Sequence, residues 1–269
     1  SARACFALYQ MHLIPGEPHP STVVGQTAFN LGLDLGPLAI LVLDMRSERN
    51  DSQVISPPTW KAVYDWLDAL TNQCNHLLVM SSIPMVHPDF SMLEIALSIF
   101  PGQQDLEDDL RDHWYSNPHK QERLRLIHRL LDFSDNKTCR VTLLSGDVHV
   151  GAVGVVNSTR GGISSPSRTL TQLTSSGIVH PAPQGMVLYF LENVVGKEMM
   201  DDRDITSKMT EFPGTRQFYI GARNWLALEP DNSQRIWANW HVESTPHPFT
   251  KAIHPVIFKM PNAVVGEIG

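Results

Sequence analysis

The sequence predicts an α/β protein built in layers, with strands at the centre and helices outside. Three observations point there. The continuous apolar run at 38–43 has the character of a strand buried on both faces, 76–80 reads as a second buried strand and 139–144 as a third strand. Between them, 59–70 and 120–133 place apolar residues three and four apart, the spacing of a helix with one buried side. No stretch has the composition of an interdomain linker, so residues 1–269 are expected to form one domain or part of one.

Taken in order, Phe6 to His12 reads as a strand, followed by a Pro/Gly-rich loop through Ser21 and a polar stretch to Asn30. Leu38–Leu43 is a buried strand that ends in a burst of charge, Asp44-Met45-Arg46-Ser47-Glu48-Arg49. Thr59 is a cap for a helix burying Trp60, Val63, Tyr64, Leu67 and Leu70. His76–Met80 is the next strand and runs into Ser81-Ser82-Ile83-Pro84. Residues 88–102 have helical apolar spacing with weak start signals, and Leu106–Trp114 and Lys120–Phe133 read as helices. The second carries the stripe Leu124, Ile127, Leu130 and Leu131. Cys139–Leu144 is a strand broken by Ser145-Gly146-Asp147, and His149–Val156 is another. Arg160–Arg168 is a loop, Thr169–Ser175 a strand and Met186–Val195 a helix. Gln217–Leu228 and Arg235–Glu243 read as paired strands joined through Asp231-Asn232-Ser233. In the latter, Ile236, Ala238, Trp240 and Val242 alternate with polar or half-polar neighbours, so one face is wet.

Composition narrows the partners. The chain is 42% hydrophobic and 18% charged, with a mean hydropathy of −0.15, enough apolar material for a sizeable core. A net charge of −7 and the lack of any Lys/Arg-rich run argue against nucleic acid as a stable partner, while leaving a phosphate ester open as substrate. The longest apolar run, near Pro37–Leu43, is far too short to span a membrane. Cys5, Cys74 and Cys139 form no CxxC pattern, and so few cysteines favour a reducing compartment, cytoplasmic by preference. Ser1-Ala2-Arg3-Ala4 does not open a signal segment and no initiator Met precedes it, so a trimmed segment of a longer chain is expected.

In open α/β sheets functional groups collect in loops past the carboxyl ends of strands. Three such loops are polar here: Asp44-Met45-Arg46, Ser81-Ser82 and Ser145-Gly146-Asp147-Val148-His149. In the third, Gly146 permits a tight turn, and Asp147 and His149 sit two apart, so an extended backbone would aim both side chains the same way. A carboxylate and an imidazole converging on one point make a metal corner. Arg46 could neutralise a phosphate or brace a carboxylate. Each has a structural alternative: Gly-Asp as a plain turn, Asp44 with Arg46 as a strand-end ion pair, and Ser81 and Ser82 as turn residues. The tryptophans read as packing residues. No P-loop, dinucleotide turn, nucleophile elbow or HExxH helix is present.

Several stretches together resemble the PhoD-like phosphatases of the calcineurin-like metallophosphoesterase group. They are Phe6–His12, Leu43–Arg49, Met80–Pro84, Asp109–Leu131 with Asp112, Trp114, His119, Glu122 and Arg123, Thr142–Gly151, and Gln172–His180, with Arg223-Asn224-Trp225-Leu226 later. The resemblance implies a β-sandwich flanked by helices and a two-metal centre that hydrolyses phosphomonoesters or phosphodiesters. Asp147 matches a metal ligand, and His149 a ligand or phosphate contact. Arg46 and His12 are expected in the surrounding shell, so His149, Arg46 and His12 are the candidate catalytic residues. The ions would be divalent or trivalent, drawn from Fe, Ca, Mn, Mg or Zn. The family's upstream Gly-Asp and Asp-Asp-His elements are absent, Gly146-Asp147 being the only Gly-Asp in the chain. Two residues cannot hold two ions. The chain is therefore expected to be the C-terminal half of the fold, with the N-terminal half as its partner. Two other readings remain: a non-catalytic binding or assembly module, and a metal-free hydrolase using Ser81, Ser82, Ser175 or Ser176.

Overall fold

The computed structural model describes residues 2–14, 17, 19–21, 23, 29–71, 73–87, 117–146, 149–162, 165–175, 177–179 and 185–257. Its centre is a nine-stranded mixed sheet of β1 (Leu31–Asp34), β2 (Leu38–Leu43), β3 (His76–Ser81), β4 (Arg140–Ser145), β5 (Gly151–Ser158), β6 (Thr169–Thr174), β7 (Glu198–Asp202), β8 (Ile205–Thr210) and β9 (Tyr219–Ile220). The order is β1-β2-β3-β4-β6-β5-β8-β7, with β9 beside β5. Strands β2, β3, β4 and β6 run parallel, and the rest pair antiparallel. A second sheet of three antiparallel strands is formed by β10 (Asn224–Pro230), β11 (Ile236–Val242) and β12 (Phe249–Ile253).

Helices α2 (Pro57–Ala69) and α3 (Asn117–Lys137) cover one face of the large sheet. Strand β2 alternates strictly. Ala39, Leu41 and Leu43 join Trp60, Val63, Leu67, Leu126, Ile127 and Leu130 in the core under the helices. Leu38 and Ile40 face the other way, toward a second core in which Leu78, Val153 and Leu173 meet Phe212, Ile236, Ala238 and Trp240 of the small-sheet side. The Trp240 ring packs on Phe212 and its indole nitrogen donates to the Thr174 carbonyl, locking the small sheet to the end of β6. The protein thus has helices on one side of a mixed sheet and a second sheet on the other.

The buried strands and the two helices fall where the sequence places them. Four readings need correction. Residues 6–12 are not a strand: α1 (Ala2–Tyr9) is a helix, as three alanines in eight residues favour. It buries none of its residues and meets the rest through Phe6, whose ring centroid lies 4.8 Å from that of Phe29. Thr59 lies inside α2; Ser56 is the cap residue, and the Glu48 carboxylate takes the Ser56 N–H and Thr59 hydroxyl at the positive end of that helix. The 160–168 loop contains two 3-10 turns, Arg160–Gly162 and Pro166–Arg168. The segment 217–228 splits into β9 and β10, which belong to different sheets. Helix α4 (Gly185–Asn193) packs beside β9, its Glu192 carboxylate accepting the N–H groups of Phe218 and Tyr219. The readings at 88–102 and Leu106–Trp114 lie outside the described residues.

Candidate functional site

The chain crosses the sheet in one place that matters. Strand β4 lies on one side of β6 and β5 on the other. The link 146–150, called the crossing below, therefore begins and ends beside the carboxyl end of β6, where Ser145 and Ala152 both register with Thr174; residues 147 and 148 lie outside the described residues. The Ser175 N–H donates to the Ser145 carbonyl at 3.0 Å, which holds the start of this crossing against the strand beneath it. Ordered hydroxyls surround the point. The Ser145 and Thr174 oxygens are 3.2 Å apart, and Ser175 donates to the side-chain oxygen of the buried Asn224 at 3.0 Å. Gln172 is fully buried, donates to the Ser145 oxygen at 2.9 Å and accepts the Met85 N–H at 3.0 Å. A glutamine inside Leu170-Thr171-Gln172-Leu173 must find partners in the core. That was the sequence signal for this organising residue, which motif reading passed over.

Beside the crossing opens a cleft of about 760 Å³ between the two sheets. Ser81, Ser82, Ser145, Gly146 and Ser175 form its polar end; aliphatic side chains of β2, β3, β4 and β10 form its walls. None of its described lining residues is charged. Met80 and Trp225 are 44% and 47% exposed on those walls. The Trp225 ring stacks on His241 across the β10–β11 pair, with centroids 4.0 Å apart and planes 8° from parallel.

The expected site residues fare differently. Asp147 lies outside the described residues. His149 is half-buried with φ of 54°, in the left-handed region, so His149 itself is not extended, and β5 begins at Gly151. Gly146 is not left-handed, and a Cβ there would meet only the Ser175 carbonyl at 3.5 Å, an ordinary contact. The tight conformation of the turn sits at His149 instead. Arg46 is exposed after β2. Its backbone N–H donates to Asp44 Oδ1, as does that of Ser47, while Asp44 Oδ2 accepts the Phe29 N–H. Burial pushes the Asp44 carboxyl up, but these hydrogen bonds outweigh it and hold the group below its usual value. Asp44 is thus a turn-building carboxylate. His12 is exposed just past α1, with φ of 54°. Ser81 donates to the Ile83 carbonyl, consistent with a turn residue.

The His119, Glu122 and Arg123 side chains of α3 brace the helix layer, on the face of the sheet away from the cleft. His119 bonds the Asn50 carbonyl. The Glu122 carboxylate accepts the Val54 and Ile55 N–H groups and the Trp60 indole N–H. Arg123 pairs with Asp201 of β7 and donates to the Ser207 hydroxyl.

Among the described residues no three His, Cys, Asp or Glu side chains gather as a metal-binding group. The described donors at and around the crossing are His149 and the hydroxyls of Ser145, Thr174 and Ser175. They do not by themselves fit the two-metal centre that the resemblance implies.

A mixed sheet between helices and a smaller sheet, with polar residues at the carboxyl ends of its parallel strands, makes this an α/β protein with a candidate site at those strand ends. The profile of a family described as PhoD related phosphatase matches residues 21–101 and 90–200, more than half of the chain and including the crossing. The chain belongs to the PhoD-related phosphatase family. A curated relative, the uncharacterized protein YGR266W of Saccharomyces cerevisiae, is 31% identical over 166 residues, covering 52% of this chain and 24% of the relative. The chain thus spans about a quarter of that relative's length. No helix among the described residues is long and apolar enough to cross a membrane.

Proposed function

We propose that this chain is the C-terminal part of a metal-dependent phosphoesterase domain, hydrolysing a phosphomonoester or phosphodiester at the 145–149 crossing. The observation that supports it most is the family match, which spans the crossing itself. Asp147 and His149 are the chain's contribution to the metal centre. The remaining donors lie outside the described residues, on an N-terminal half of the same fold. The half-exposed aliphatic wall of Leu38, Ile40, Val42 and Met80 is the surface that half would cover. Arg46 and His12 belong to the outer shell of this site. The chain's own groups act here as fixed dipoles: Gln172 orients the Ser145 hydroxyl, and Asn224 orients that of Ser175. The metal would supply a hydroxide nucleophile at neutral pH when bound. A reducing compartment such as the cytoplasm suits the three free thiols.

The test uses p-nitrophenyl phosphate and bis(p-nitrophenyl) phosphate with the full-length gene product and its Asp147→Ala variant, reading rate and bound metal together. The variant is expected to lose at least about 100-fold in rate together with bound metal. Wild-type rate and metal content in the variant would remove the proposal. A second reading, a scaffold that binds or assembles without catalysis, is favoured by the bracing roles of His119, Glu122 and Arg123. A full-length protein that binds metal at neither position and turns over neither ester would establish it.

A further inference from the structure

Two thiols lie against each other in the core, away from the crossing and the cleft. Cys74 precedes β3 and Cys139 precedes β4, and their exposures are 1% and 0%. Their sulfurs are 3.3 Å apart although the residues are 65 positions apart in the chain. The strand pairing fixes both backbones. Asn75 and His76 donate to the Pro37 carbonyl, Arg140 donates to that of Asn75, and Cys139 donates to that of Ser134. Closing 3.3 Å to the roughly 2.05 Å of a disulfide therefore asks for side-chain rotation, with the strands left in place. The third cysteine, Cys5, is exposed on α1.

We infer that Cys74 and Cys139 form an oxidisable pair that a hydroperoxide converts to a disulfide stapling the N-terminal ends of β3 and β4. The hydrogen bond between the thiols holds Cys74 below its usual value, while the same contact and burial push Cys139 up. Cys74 is accordingly the sulfur that reacts first. Its thiolate attacks one peroxide oxygen, the O–O bond breaks, and the departing hydroxide leaves as water after taking up a proton. The Cys74 sulfenic acid is then attacked by the Cys139 sulfur. The S–S bond forms, the S–O bond breaks, and hydroxide leaves with the Cys139 proton as a second water. Two thiols and one hydroperoxide thus give one disulfide and two waters, or one water and an alcohol from an organic hydroperoxide. The closed loop holds β3, the 81–87 turn and α3, a length at which a cross-link restricts the unfolded chain strongly.

The full chain is treated with increasing hydrogen peroxide, then unfolded and alkylated with iodoacetamide. Cys74 and Cys139 are expected to lose alkylation together, whatever happens to the exposed Cys5, with a peptide linking Cys74 to Cys139, reversal by dithiothreitol, and a thermal midpoint raised by several degrees. A Cys5→Ser variant, which leaves the core intact, is expected to behave the same way with alkylation falling from two to none. Cys74→Ala and Cys139→Ala are each expected to abolish the linked peptide. The inference is overturned if Cys74 and Cys139 stay alkylatable in the Cys5→Ser protein at peroxide doses that consume Cys5 in the wild type. It is equally overturned if they oxidise singly with no linked peptide.

Discussion

Replacing Glu122 by glutamine tests whether the His-x-x-Glu-Arg element of α3 is scaffold or chemistry. The carboxylate is 3% exposed and accepts three N–H groups: Val54 on one oxygen at 2.8 Å, and Ile55 and the Trp60 indole on the other at 3.1 and 2.8 Å. Glutamine keeps one accepting oxygen and sets an amide NH₂ against the remaining donor. One charge-assisted bond, of about 1.5–3 kcal/mol, becomes a donor–donor contact, and the other two lose their ionic character. The expected cost is about 3 kcal/mol. With a urea slope of about 3 kcal/mol/M for a chain of this size, the midpoint falls by about 1 M. The thermal midpoint falls by about 6–12 °C. Alanine should cost more, because it leaves three buried donors unsatisfied beside a cavity. The assay is urea unfolding followed by tryptophan fluorescence, since Trp60 reports on the contact directly. A glutamine variant within about 0.2 M of wild type would refute the bracing role. A stable variant that has lost esterase activity would move Glu122 into the chemistry.

Other consequences follow from the same structure. Arg123→Met strands the Asp201 carboxylate, 3% exposed, and should cost about 3–5 kcal/mol; adding Asp201→Asn should recover part of this, and strict additivity in urea unfolding of the four proteins would refute the pairing. Gly32→Ala would set a Cβ 2.3 Å from the rigid Trp66 indole, so a loss of about 1–3 kcal/mol is expected, and an unchanged midpoint would show that β1 is free to shift. Asp231 accepts from the Ser233 and Arg235 N–H groups, the Arg235 side chain and the Trp237 indole. Burial pushes its carboxyl up, but these bonds prevail and lower it from 3.8 to about 2. Its folded value lies below the unfolded one, so its contribution is complete above pH 3.8 and is lost as pH falls toward about 2. Stability measured between pH 5 and pH 2.5 should fall less steeply in Asp231→Asn than in wild type, and parallel slopes would refute this.

What the sequence made legible follows from periodicity and burial. Strand β2 could be read from its unbroken apolar run, although it buries only alternate residues fully, the α3 stripe because it buries one repeated face, and β11 because Ile236, Ala238, Trp240 and Val242 alternate against wet neighbours. Helix α1 could not, since a helix that buries nothing leaves no stripe and its apolar residues imitate a strand. Strands β7 and β8 went unread because the acidic run Asp201-Asp202 conceals an alternation whose buried members are Ile205, Ser207 and Met209. At the site, the positions of the polar loops after β2, β3 and β4 were legible as strand ends. The conformation within them was not: the left-handed backbone at His149 follows from β6 lying between β4 and β5, which no local pattern records.

The same strand order bears on the polar residues around the crossing. Strand β6 lies between β4 and β5, so those two strands cannot pair with each other where the chain passes from one to the next. The Ser175 N–H extends the β4–β6 ladder to the Ser145 carbonyl, while Gln172, the Ser145–Thr174 hydroxyl pair and the Ser175–Asn224 contact hold the side chains there in fixed orientations. Strand β6 separates β4 from β5, so the strand order itself rules out a direct β4–β5 hairpin, whose backbone groups would have been used in pairing.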